Sequence, residues 1–99
     1  MVRYLMELLS TLSHIEILNK ASKYSGHVAI RMRPQKATQA LWQALYEQEQ
    51  VYCDYAPRYD LIRFGMGSLY TSFPEVHKLF EIIKRVSSES LSAALVAKL

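Results

Sequence analysis

Hydrophobic and polar positions along the chain switch repeatedly between a helical period and a period of two. Residues 3–12 place Leu5, Leu8, Leu9 and Leu12 at helical spacing, which predicts a short amphipathic helix. His14-Ile15-Glu16-Ile17-Leu18 then alternates, as a half-buried strand does. The polar stretch 19–25 reads as a loop, and Gly26 opens a second strand over 27–32 with Val28, Ile30 and Met32 on one face. Pro34 ends that strand and suits the first turn of a helix reaching about residue 48. Ala37, Ala40, Leu41, Ala44 and Leu45 form the apolar stripe of this helix, with Trp42 at its edge. Strands are expected over 50–54 and 61–65, with a turn over 56–60 between them. Beyond a glycine-containing bend at 65–68, Ser72 and Glu75 make a capping-box pattern with Pro74 in the first turn. Val76, Leu79, Phe80 and Ile83 mark the helix behind it. The serines in 87–90 are expected to interrupt it, leaving a weaker helical tail over 86–99.

The predicted order is therefore α-β-β-α-β-β-α. Each helix has one apolar face that a sheet must cover, so the economical fold is α+β: one small, mostly antiparallel sheet with helices on one face, in a single domain over 1–99. Composition agrees, since 51% hydrophobic and 21% charged residues can supply a core without disorder. No run approaches the roughly 20 apolar residues of a membrane span. Glu7 and His14 break the apolar N-terminus, so neither a membrane anchor nor a signal peptide is expected. The formal charge of +3 is scattered, which argues against a nucleic-acid partner. Its densest group, Arg31, Arg33 and Lys36, reads as a solvated strand end. Cys53 is the sole cysteine; it sits in the apolar run Val51-Tyr52-Cys53 and reads as a buried, inert thiol in a reducing compartment.

One segment points to chemistry. In Leu61-Ile62-Arg63-Phe64-Gly65, alternation puts Ile62 and Phe64 on one face and Leu61, Arg63 and Gly65 on the other. A guanidinium set in a hydrophobic strand calls for an anionic partner, and its planar fork suits a carboxylate. The residues alone leave a second reading open: an edge-strand arginine reaching solvent, or pairing with Asp54 or Asp60. His14 and His77 have no partner legible in the sequence, and three dispersed histidines do not make metal-ligand spacing.

The segment resembles the C-terminal end of the kynureninases. Ile62-Arg63, Gly65, Leu69-Tyr70 and Phe73, followed by an amphipathic helix, follow the family's order. Upstream, Ser25-Gly26-His27-Val28-Ala29 is similar to its Gly-His-Val-Ala strand, and Val51-Tyr52-Cys53-Asp54-Tyr55 to the strand before the arginine. Ser68 stands where the family usually has proline, Gly67 where alanine is common, and the loop before Gly26 lacks the usual arginine. The resemblance spans about residues 3–86 and implies the small domain of a fold type I enzyme dependent on pyridoxal phosphate. Such an enzyme hydrolyses kynurenine to anthranilate and alanine, in the cytoplasm, as a homodimer. Arg63 is the position that the resemblance assigns to the carboxylate of the amino-acid substrate, with Tyr70 in a packing role and His27 structural.

The Schiff-base lysine and the phosphate cradle belong to the family's large domain, so this chain is expected neither to hold the cofactor alone nor to be active without that partner. Other class V aminotransferase or desulfurase-like enzymes share the fold and an arginine nearby. A reading from a different class also stands: a non-catalytic interaction module whose exposed patch comprises Trp42, Tyr46, Leu91, Leu95 and Leu99.

Overall fold

A computed structural model of the chain describes residues 2–18, 27–65 and 72–96, the side chains of 93–96 excepted. Helix α1 (Val2–Leu9) is followed by strands β1 (Ile15–Ile17) and β2 (His27–Met32). A 3-10 turn (Gln35–Ala37) leads into helix α2 (Thr38–Glu49), and strands β3 (Asp54–Ala56) and β4 (Leu61–Gly65) precede helix α3 (Phe73–Val96). The four strands form one antiparallel sheet in the order β1-β2-β4-β3. This is the α+β architecture that the hydrophobic pattern predicts.

Register explains the two faces of the sheet. Ile15 faces Met32, Ile17 faces Ile30, Ile30 faces Ile62, and Val28 faces Phe64. Directly opposed residues share a face, so these side chains form one apolar surface. Leu5 and Leu9 of α1, Leu41 and Leu45 of α2, and Val76, Leu79 and Ile83 of α3 pack with it into a single core. Thr38 is the polar member at the start of α2: its Oγ1 accepts the Met32 N–H at 2.9 Å, tying the end of β2 to the helix.

Several boundaries move for identifiable reasons. Helix α1 stops at Leu9 rather than residue 12, where the backbone tightens: the Thr11 and Leu12 N–H groups bond to the Leu8 and Leu9 carbonyls three residues back instead of four. The strand expected over 50–54 lies at Asp54–Ala56. Gln50 takes the left-handed conformation (φ 55°) that ends α2, its N–H bonding back to Leu45 and Tyr46, and so cannot begin a strand. Ala40, expected in the buried stripe of α2, is exposed, while Thr38 is buried.

The serines of 87–90 do not interrupt α3, which is continuous to Val96. Ser87 and Ser88 donate their hydroxyls to the Lys84 carbonyl at 3.2 and 2.8 Å, remaining within the helical pattern. Ser87 is fully buried and lies 2.7 Å from Nε2 of His14, a partner that the sequence did not reveal. Since the hydroxyl donates to Lys84, it accepts from His14, which puts the neutral ring's proton on Nε2. His77, on the exposed side of α3, faces Glu81 one turn on at 3.8 Å.

Candidate carboxylate site on the outer sheet face

The face of the sheet turned away from the helices carries the polar side chains of the strands, with Ala29 and Leu61 among them. Glu16 is opposite Arg31, His27 opposite Gly65, and Arg63 opposite Ala29 on one side and Asp54 on the other. The core residues Ile62 and Phe64 are fully buried, so their neighbours Arg63 and Gly65 must point outward, and both are exposed. The alternation predicted for this strand is the alternation found.

Three arginines stand on the paired strands or just past them, and two already have structural duties. Arg31 reaches the β3–β4 turn, donating from Nη2 to the Tyr59 carbonyl at 2.8 Å and from Nε to that of Asp60 at 3.4 Å. Arg33 donates to the Ser13 carbonyl at 3.3 Å and stands 3.8 Å from the Glu16 carboxylate. The solvated strand end expected at this basic cluster is thus partly a set of loop clamps.

Arg63 differs. Among the described residues its guanidinium makes no ion pair and no side-chain hydrogen bond. Asp60 accepts from the Tyr55 hydroxyl instead, an interaction that holds that phenol above its usual pKa. Asp54 is the direct cross-strand neighbour of Arg63 but is not in contact as an ion pair. Arg63, Asp54, His27 and Gly65 line a shallow concavity of about 340 Å³. A groove of about 400 Å³ on the helical side runs between the end of α2 and the start of α3. Its Glu49 is already paired with Arg85, and it contains none of the residues singled out for chemistry.

Cys53 is half-buried and its thiol is pushed up to about 12, first by burial and then by the Asp54 charge. Trp42 is not free for a surface patch: it stacks on Tyr55 at 5.4 Å and its Nε1 donates to the Cys53 carbonyl at 2.9 Å. Leu91 packs against the core. Tyr46 is 54% exposed and meets the more exposed Tyr52 edge-on, a residue absent from the expected patch. Gly26, Met66 to Ser68, Leu69, Tyr70 and Leu99, and the Leu95 side chain, lie outside the described residues. Among the described residues no three His, Cys, Asp or Glu side chains converge on a metal position. No described helix is long and apolar enough to cross a membrane.

The fold and this face together define a class: a small antiparallel α+β domain with an outward arginine beside a shallow concavity. The kynureninase C-terminal domain family matches residues 1–83, and the chain belongs to that family. No curated protein matches it. Kynureninases depend on pyridoxal phosphate, and this family is the C-terminal part of a larger enzyme. The described lysines do not fit that cofactor: Lys36, Lys78 and Lys84 are exposed positions in the helical layer, and none lines the Arg63 concavity.

Proposed function

We propose that this chain is the substrate-carboxylate domain of a kynureninase-type hydrolase, working with a large domain that carries pyridoxal phosphate, and that Arg63 holds the α-carboxylate of kynurenine. The observation that carries the reading is the exposed Arg63 guanidinium, which no described residue neutralises, beside a concavity in a chain of this family. Arg31 and Arg33 are tied to carbonyl groups of the protein, so Arg63 is the strand arginine left to bind an external anion. The two N–H groups of its fork would fix both the position and the plane of the carboxylate, aligning the substrate for chemistry on the large domain. Pyridoxal phosphate supplies electron withdrawal from the amino acid's α-carbon when bound to the large domain. The residues of this chain bind and orient. A cytoplasmic setting and a homodimeric assembly belong to the same proposal, as does the chain's inability to hold the cofactor alone.

The test is complementation. The chain is combined with the cofactor-binding large domain of a kynureninase, and anthranilate release is followed by fluorescence. Arg63→Ala removes a charge-assisted bidentate contact of roughly 2–4 kcal/mol, so kcat/KM should fall tens- to hundreds-fold. Arg63→Lys should recover part of that loss, because it restores charge without the fork. Unchanged catalytic efficiency in Arg63→Ala would sink the assignment. The competing interaction-module reading rests on the exposed Tyr46–Tyr52 pair. A strictly monomeric chain at high concentration in light scattering, capturing no partner domain, argues against it.

A further inference from the structure

Arg63 has unlike neighbours on its two sides. On the outer face of the sheet it stands directly opposite Ala29 of β2 and Asp54 of β3. Ala29 is buried, whereas Arg63 and Asp54 are both exposed and β3 is an edge strand. The open flank of the guanidinium is therefore the one beside Asp54. Directly opposed residues hold their Cβ atoms roughly 4.5–5.5 Å apart, near enough for opposite charges to meet. Yet among the described residues neither Arg63 nor Asp54 makes an ion pair. Of the neighbours that the register gives Arg63 on β2 and β3, namely His27, Ala29, Arg31, Asp54 and Ala56, only Asp54 is acidic. The field of this carboxylate reaches its surroundings: after burial, it is the second cause that pushes the Cys53 thiol up to about 12.

We propose that Asp54 is a charge filter for Arg63: it leaves the guanidinium open to zwitterionic amino acids and turns anions away in proportion to their net charge. The proposal rests on the reading of Arg63 as a carboxylate binder and adds the residue that selects the class of ligand. An anion held by the Arg63 fork lies roughly 7 Å from the Asp54 carboxylate, where repulsion in a solvent-like medium weakens binding about threefold per negative charge. A monocarboxylate meets this factor once. A dianion meets it twice, for about tenfold. In an α-amino acid the ammonium beside the carboxylate offsets the repulsion, so the net factor is close to one. Sulfate and phosphate, which the fork of an arginine would otherwise suit, are the ligands that Asp54 disfavours most. Asp54 is thus a specificity-determining residue, acting through charge alone.

The experiment uses the full chain labelled with ¹⁵N, titrated separately with glycine, sodium acetate and sodium sulfate at one constant, low ionic strength. The side-chain Nε–H resonance of Arg63 reports binding. In Asp54→Asn, affinity for glycine should stay the same or fall, that for acetate should rise about threefold, and that for sulfate about tenfold. High salt should erase most of these gains, because the interacting charges are exposed. Asp54→Lys should roughly square the gains for acetate and sulfate. The amide spectrum of each variant reports whether the sheet is intact, and the position is an exposed one on an edge strand. An equal rise for all three ligands means that Asp54 merely occupies Arg63, and it overturns the filter. Unchanged sulfate affinity in both variants overturns it as well, and either result leaves the Arg63 reading standing. An Arg63 resonance that no ligand moves, in the wild type or in either variant, overturns the Arg63 reading and the filter with it.

Discussion

The contact between His14 and Ser87 joins the start of β1 to the middle of α3 and gives the fold a pH-sensitive joint. Ser87→Ala removes the acceptor for the His14 Nε2–H, 2.7 Å away. Losing such a bond costs about 1 kcal/mol, offset in part by the roughly 0.5 kcal/mol by which alanine outranks serine in a helix. His14→Ala leaves the Ser87 hydroxyl its bond to the Lys84 carbonyl, so it loses one contact without orphaning a buried donor. A double-mutant cycle on the two positions should therefore give a coupling energy of about 0.5–1.5 kcal/mol. In a domain of this size each kcal/mol moves Tm by about 4–8 °C. Burial disfavours the His14 imidazolium and lowers its pKa below the ordinary 6.5. The unfolded chain then binds more protons in the window just below 6.5, so stability is fully present above that pH and declines as pH falls toward the lowered folded value. The assay is urea unfolding of wild type, both single variants and the double variant, at pH 8 and at steps down to pH 5. Removing His14 should flatten the decline. Strictly additive single variants, or an equally steep decline without His14, would refute the reasoning.

Thr38→Val deletes the acceptor for the buried Met32 N–H at nearly constant volume and should destabilise the fold by about 1–3 kcal/mol in urea unfolding. Gln50→Gly relieves a left-handed residue at the end of α2 and should be neutral or stabilising by up to about 1 kcal/mol, read as a rise in Tm. With its thiol pushed up to about 12, Cys53 should react with a disulfide reagent at pH 8 far more slowly than a free cysteine, and reach the free rate only on unfolding.

Much of this domain could be read along the chain because local alternation carries it. The strands at 27–32 and 61–65 have the predicted bounds, and the clean alternation of the second places Arg63 outward beside the buried Ile62 and Phe64. The motif around Arg63 also marked the family, since its residue order survives without knowledge of the fold. Tertiary structure decided what depends on residues distant in sequence. Ser87 remains helical and buried because the fold brings His14, 73 residues away, against it. Gln50 ends α2 rather than beginning a strand, because its N–H bonds back into the helix. Nor could alternation say which strand arginine stays available. Arg31 is drawn to the carbonyls of the β3–β4 turn and Asp60 to Tyr55, and the strand order β1-β2-β4-β3 sets His27, Gly65, Arg63 and Asp54 side by side. Periodicity fixes the face on which a side chain lies, but its neighbour across the sheet is fixed by long-range pairing, and a binding site is made of such neighbours.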